Sequence, residues 1–470
     1  MKPAIHRRDF LLAGGMAALP LAASAAPAPV PLTVTKRSLK VHGRAASVYG
    51  LTGPDGRAGL TLGPASPFSV MVKNQCGVPT IIHWHGQTPS AAQDGVVETG
   101  YAGPIADGAS RSYDFTPRPG TYWMHSHLGL QEQALMAAPL IIHSSENGDS
   151  AQDIVVLLHD FIFDDPEEIL SNLQRRGGGS MQGMMGQGAA GMMGGGMGGT
   201  MPGMDLNDID FDAYLANDRT LSDPEIVRAK AGDPLRLRLI NGATATAFWI
   251  DLGGLEGQLV AVDGDPVQPL TVRKFPLAGA QRADILLRLP ASGAFPIFAQ
   301  REGGRARTGI VLATPGSEIP KFAEAADTLC PPCGWQLEAR LAAARPLAPR
   351  PPQRQYQTRL TGSMMGYDWG IDGRQWADRQ PLTVSGGERV TINIVNDTMM
   401  SHPMHLHGHR FQVVALNGTP IAGAMRDTVL VLPRASVRIA FDADNPGRWL
   451  FHCHNLYHMA AGMMTELIYS

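Results

Sequence analysis

An all-β chain of about three domains is what this sequence predicts. Three observations carry that reading. At 470 residues the chain exceeds what one ordinary core holds. Its 54 glycines and 36 prolines, set against 6% aromatic residues, favour many turns and short strands over long helices. Runs of alternating apolar and polar residues recur from one end to the other. A hydrophobic fraction of 44% suits a packed protein rather than a disordered one. The net charge of −3 supplies no basic footprint, which argues against nucleic acid as a partner.

The amino terminus carries an address. His6 Arg7 Arg8 Asp9 Phe10 Leu11 Leu12 sets an arginine pair before an apolar run, and Ala23 Ser24 Ala25 is a small-residue cleavage site. Residues 1–26 therefore resemble a twin-arginine export signal, which implies passage of an already folded protein through the twin-arginine export machinery into the periplasm. No other segment is apolar for long enough to span a bilayer, so no membrane span is expected and the mature chain should be soluble.

Residues 32–148 form the first expected domain. Phe68 Ser69 Val70 Met71 Val72 reads as a strand, as does Thr80 Ile81 Ile82 His83 Trp84 His85 Gly86. Strand alternation puts His83 and His85 on one face with Trp84 opposite, and in Thr121 to His127 it pairs His125 with His127. One such pair is a weak signal, because polar strand faces produce them often. Two in one domain point to a metal site.

Residues 150–316 are the second expected domain, opening on Asp153 Ile154 Val155 Val156 Leu157 Leu158 His159. The alternating runs Pro234 to Ile240 and Asp284 to Leu289 follow, with no paired histidines among them. Its expected role is to hold the outer domains in register. It carries a Gly- and Met-rich insert, 177–204, including Met181, Met184, Met185, Met192, Met193, Met197, Met201 and Met204. Glycine at that density fixes no backbone, so a mobile surface loop is expected. Thioethers are soft ligands suited to Cu(I), and the loop reads equally as a cuprous collector or as a plain flexible insert. Residues 317–352, rich in Ala, Pro and Arg, read as a linker. Within it Cys330 and Cys333 form a CxxC, which in an exported protein reads first as a local disulfide and second as a copper pair.

The third expected domain, 353–470, holds the densest chemistry. After the alternating run Arg389 to Asn396 comes His402 Pro403 Met404 His405 Leu406 His407 Gly408. Near the end, Arg448 Trp449 Leu450 Phe451 reads as a buried strand leading into His452 Cys453 His454, with His458 and Met463 beyond. On a strand Cys453 faces one way while His452 and His454 face the other, so one segment serves two sites. A thiolate with two imidazoles and a long, weak Met is the ligand set of a blue-copper electron-transfer centre. Cys453, His458 and Met463 supply three of these, and His402, set apart by Pro403, supplies the second imidazole.

Four HisxHis pairs remain: His83/His85, His125/His127, His405/His407 and His452/His454. Eight imidazoles are too many for one ion, and their even division between the first and last thirds predicts a cluster where those domains meet. His6, His42, His143, His159 and His409 are read as structural. Zinc competes poorly, since a closed zinc site needs four ligands and has no use for an adjoining Cys, His, Met centre.

These motifs, HisTrpHisGly, HisSerHis, HisProMetHisLeuHisGly and HisCysHis with a later His and Met, resemble those of the multicopper oxidases: laccases, bilirubin oxidases and bacterial copper efflux oxidases. The resemblance spans His83 to Met463. It implies three cupredoxin-like Greek-key β-sandwich domains and four copper ions. His402, Cys453, His458 and Met463 would hold the type 1 copper, and His83 and His405 the type 2 copper. His85, His125 and His454 would hold one type 3 copper, with His127, His407 and His452 on the other. Electrons would enter at the type 1 copper, pass through Cys453 to His452 and His454, and reduce O2 to water. Asp94 matches the family's acidic residue near the cluster and would supply protons; by turn chemistry alone it reads as a residue before Gly95. Met400 resembles a substrate Cu(I) ligand of the efflux oxidases, with the nearby acid shifted to Asp397.

Two features depart from the family. Met459 stands where many bacterial relatives place an acid, and the Met-rich insert lies in the second domain where the efflux oxidases carry it in the third. The expected activity is a periplasmic oxidase that couples oxidation of Cu(I), and of small phenols, to O2 reduction in copper tolerance. Two other readings stay open: a general laccase acting on organic phenols, and a non-enzymatic copper-binding protein of the same fold. A related nitrite reductase would need fewer histidines.

Overall fold

Alternation becomes architecture directly. In the strand Phe68–Gln75 every second side chain is buried, and Arg389–Asn396 follows the same period. The structure, a computed structural model, describes residues 28–144, 151–178 and 206–470. The export signal and the insert methionines lie outside the described residues.

Each third of the chain builds two mainly antiparallel sheets around one core. In the first, a four-stranded sheet (Arg44–Thr52, Val30–Val41, Phe68–Gln75, Ser110–Phe115) faces another (Leu60–Leu62, Ala137–Ile142, Gly120–Ser126, Ile82–His83). Val34, Val70 and Tyr113 from one sheet pack on Leu60, Tyr122 and Leu140 from the other. The middle third pairs a six-stranded with a five-stranded sheet, and the last a seven-stranded with a five-stranded sheet. Ile392 and Phe441 there meet Phe451 and Leu467 across the gap. Burying such apolar faces in pairs is the sandwich solution, so the fold is the expected all-β array of cupredoxin-like sandwiches. No helix among the described residues is long and apolar enough to cross a membrane.

Polar residues of the middle third grip both neighbours. Asp265 accepts from Arg118 at 2.5 Å and from Arg410 at 2.6 Å. Arg282, fully buried, donates to Asp427 at 2.8 and 2.5 Å and to the carbonyl of Thr121 at 3.3 Å. The middle third therefore ties the outer two together through charge-assisted bonds rather than through histidines.

The run at 80–86 is shorter as a strand than its pattern predicts. Ile82–His83 forms the strand, with His83 opposite His125, and Thr80 makes an isolated bridge to Ile105. Gly86 turns the chain at φ 85, where a Cβ would lie 2.5 Å from Arg282 Nη2 and 2.6 Å from Asp427 Oδ2. That ion pair occupies the space a side chain needs. Gly408 plays the same part after His407, since a Cβ there would meet the Trp449 ring at 2.3 Å.

Candidate metal centres

Strand register assembles the site before any side chain is considered. In the last third, Met404 pairs with Cys453 and His405 with His452, while His452 also faces Met464 on the terminal strand Met464–Tyr469. Partners across a ladder share a face, so His405 and His452 point together and Cys453 points away.

On the Cys453 side, His402, Cys453 and His458 bring ligand atoms within 4.8 Å of one another, all buried. Cys453 Sγ lies 3.6 Å from His402 Nδ1 and 3.7 Å from His458 Nδ1, and those two nitrogens are 3.0 Å apart. Met463, fully buried, accepts from the Cys453 N–H through its carbonyl and donates its own N–H to the His458 carbonyl, both at 3.0 Å. Asn455 caps the short helix Leu456–Ala460, its side chain accepting from the N–H groups of Tyr457 and His458, and so aims His458 at the thiol. The far nitrogens are also held: His402 Nε2 lies 2.8 Å from Thr398 Oγ1, and His458 Nε2 lies 2.8 Å from Asp208 Oδ2.

On the other side the eight paired histidines converge. His127, His407 and His452 form one triplet, His85, His125 and His454 a second, and His83, His85 and His405 a third. His452 and His454, flanking Cys453, belong to different triplets. Among the described residues, His83 Nε2, His85 Nδ1, His125 Nε2, His127 Nε2, His405 Nε2 and His454 Nε2 are buried with no hydrogen-bond partner. A buried orphan of this kind costs about 1–3 kcal/mol, and six aimed inward together make sense as lone pairs for cations.

The opposite ring nitrogens are tied down. His83 Nδ1 donates to the Asp94 carbonyl at 2.8 Å and His407 Nδ1 to Asp94 Oδ2 at 2.8 Å. His405 Nδ1 donates to the Asp427 carbonyl at 2.8 Å, and His452 Nδ1 to the Cys453 carbonyl at 2.9 Å. His125 Nδ1 lies 2.7 Å from Glu132 Oε2 and His127 Nδ1 3.3 Å from Glu98 Oε1. His85 reverses the pattern: its Nε2 lies 3.1 Å from Asp427 Oδ1, which leaves Nδ1 facing inward. Such bonds fix tautomer and raise ligand basicity.

Electrostatics agree with metal ligation. Burial holds His85, His125, His402, His405, His407 and His452 well below the ordinary imidazole value, and His454 at about 3. They are neutral, the ligand form; His127 runs the other way, since burial lowers it but the Glu98 carboxylate at its Nδ1 raises it above the ordinary value. Burial pushes the Cys453 thiol far up, so a thiolate there requires an adjoining cation. The donor set fits copper: one thiolate with two imidazoles, beside clusters made only of imidazoles.

The ten predicted histidines and Cys453 are thus brought together, and Met463 joins them through backbone bonds to Cys453 and His458. Asp94 is 1% exposed and bonded into the cluster rather than merely shaping a turn. Asp397 is not where the sequence places it: its carboxylate pairs with Arg359 at 2.6 Å on the surface, away from the cavity that Met400 lines. Sequence reasoning missed Asp427 and Asp208, which reach the site from distant segments of the chain, and Glu98 and Glu132, which sit on loops near the first-third histidine pairs but carry no motif. His159 and His409, by contrast, are structural as expected: His159 Nδ1 donates to the Gly242 carbonyl, and His409 bonds the His407 carbonyl and the Tyr469 hydroxyl.

Comparison with known proteins agrees. Three multicopper oxidase family models match residues 60–147, 152–315 and 349–470. The chain is 35% identical over 430 residues to "Multicopper oxidase MmcO" of Mycobacterium tuberculosis, covering 90% of this chain and 82% of that protein. It is 27% identical to a "Copper resistance protein A homolog" of Pseudomonas syringae pv. tomato, covering 93% and 91%. The structure of a laccase from Botrytis aclada superposes with a TM-score of 0.73 at 22% identity, over 94% of this chain and 88% of that one. Motifs, geometry and likeness converge: this chain belongs to the multicopper oxidase family, whose members are copper-dependent oxidoreductases.

Proposed function

We propose that the protein is an exported, periplasmic oxidase that takes electrons one at a time from Cu(I), and from small phenols, and delivers them to O2, serving copper tolerance. In this reading His402, Cys453, His458 and Met463 hold the type 1 copper, and His83 and His405 the type 2 copper. His85, His125 and His454 hold one type 3 ion, and His127, His407 and His452 the other. Bound copper supplies one-electron acceptance at Cys453 and four-electron reduction of O2 at the histidine cluster.

The observation that carries the reading is the division of labour at 452–454. Cys453 belongs to one cluster while each flanking histidine belongs to a separate triplet of the other. Two covalent neighbours therefore link an electron-accepting thiolate to an oxygen site without any side-chain movement. The remaining residues orient and gate. Asp94 and Asp427 hold imidazole tautomers, Asp208 and Thr398 hold the outer nitrogens of His458 and His402, and Asp94 is the carboxylate placed to pass protons. Relatives named for copper resistance favour cuprous ion as reductant over organic phenols alone.

Anaerobic addition of Cu(I) to the four-copper protein tests this. Bleaching of the blue thiolate-to-copper band, with colour returning on admission of oxygen, is expected. Bleaching by a methoxyphenol but not by Cu(I) would make the protein a general laccase.

A further inference from the structure

A CxxC pair lies beside the cavity that Met400 lines, and the centres described above do not use it. The cavity, about 40 Å³, sits where the middle and last thirds meet, lined by Met400, Ser401, Glu302, Ala278, Leu430 and His454. Cys330 and Cys333, each 4% exposed, pack in one cluster with Trp249 and with Ala278 and Leu430, the same two residues that wall the cavity. Both cysteines are free thiols rather than the local disulfide that the spacing first suggests. Their loop is fixed from three sides. Trp249 Nε1 donates to the Pro331 carbonyl at 2.9 Å, the Cys330 N–H donates to the Gly304 carbonyl at 2.9 Å, and the Cys333 N–H donates to Glu302 Oε1 at 2.6 Å. Pro331 and Pro332, both exposed, cap the pair toward solvent.

We propose that Cys330 and Cys333 form a Cu(I)-binding site that delivers cuprous ion across this cavity toward Met400. The delivery role rests on the cuprous-oxidase reading; the binding does not.

Chemistry favours this over a packing role. A single buried cysteine is ordinarily a small hydrophobe. Here two occur at chelating spacing on a loop held by the buried Glu302 carboxyl; burial, with Glu302 adding to it, pushes both thiols up, Cys333 the further, so a thiolate pair there requires an adjoining cation. Soft thiolates select Cu(I), which is content with two ligands. Binding is an exchange without redox change: two S–H bonds are lost, two Cu–S bonds form, and the two protons leave to the Glu302 carboxylate and to water. The ion then has a thioether, Met400, in the cavity wall, two residues before His402. Glu302 thus occupies the place in the cavity that Asp397 does not.

The test uses the full chain carrying its four coppers, reduced and anaerobic, titrated with Cu(I) against a colorimetric Cu(I) chelator. The wild type is expected to take up one more Cu(I) per chain than Cys330→Ser/Cys333→Ser. In the variant the blue band and phenol oxidation persist, and the KM for Cu(I) rises by about tenfold, equivalent to about 1.4 kcal/mol. Should the serine pair fail to fold, Cys330→Ala/Cys333→Ala and Glu302→Gln give the same comparison, with Glu302→Gln weakening rather than abolishing uptake. Equal uptake by wild type and cysteine variants would overturn the site, as would alkylation mapping that finds a Cys330–Cys333 disulfide in the exported protein. Cysteine-dependent uptake without any Cu(I)-driven oxygen consumption would uphold the site and overturn the cuprous-oxidase reading.

Discussion

Asp94 accepts from His407 Nδ1 through Oδ2 at 2.8 Å while its own carbonyl accepts from His83 Nδ1 at 2.8 Å, so one buried residue braces two sides of the histidine cluster. Replacing Asp94 with Ala should lower copper affinity of the cluster about 10- to 100-fold, the usual effect of losing such a partner. Asp94→Asn, which can still accept, should keep the copper and lose oxygen reduction through proton supply. Metal analysis beside single-turnover reoxidation separates the two, and unchanged reoxidation in Asp94→Asn would remove Asp94 from the proton path.

Cys453→Ser should erase the blue colour and reduce turnover to background while the histidine clusters, built from other residues, keep their metal. Copper content and the optical spectrum read this together. A blue variant would mean that the thiolate comes from elsewhere.

Arg282 and Asp427 are 0% and 1% exposed in their side chains and joined at 2.5 Å. Arg282→Met leaves the buried Asp427 carboxylate without the cation paired to it, which should cost about 3–5 kcal/mol. Because Asp427 also bonds His85 and His405, the same variant should lose copper from the histidine cluster. The midpoint of urea unfolding measures the first effect; a shift within experimental error would show the pair to be energetically neutral.

Asp208 Oδ2 lies 2.8 Å from His458 Nε2. A carboxylate there makes the imidazole a stronger donor and stabilises the oxidised ion. Asp208→Asn should therefore raise the potential of the type 1 centre, read by redox titration of the blue band. A lower potential would contradict the assigned role.

Glu302 gives a pH prediction. Burial raises its carboxyl from 4.5 to about 7. Since the folded value exceeds the unfolded one, the stability linked to this group is fully present below about pH 4.5 and is lost as pH rises through about 7. The full loss corresponds to about 3 kcal/mol. Glu302→Gln, compared without added Cu(I), should flatten that fall across the same window; equal slopes in the two proteins would show that the group ionises without cost.

Much of this was legible in sequence because β-structure repeats every two residues. That period turns HisCysHis into two faces, and it correctly divided Cys453 from His452 and His454. Ladder register then did what motif spacing implied, setting His83 beside His125 and His405 beside His452. The carboxylates were illegible for the converse reason. Asp427 and His85 stand 342 residues apart in the chain, and nothing local to Asp427 marks it. Asp397 misled because it lies just past the strand Arg389–Asn396, where its carboxylate pairs with Arg359 on the surface. The role of Gly86 also became clear only when the Arg282–Asp427 pair was seen to fill the space beside it.

Oxygen uptake by the copper-loaded protein, with Cu(I) and a methoxyphenol supplied at matched concentration, tests the central claim most directly. Faster uptake with Cu(I) is expected, one O2 consumed for every four cuprous ions oxidised. Uptake with the phenol alone would contradict it.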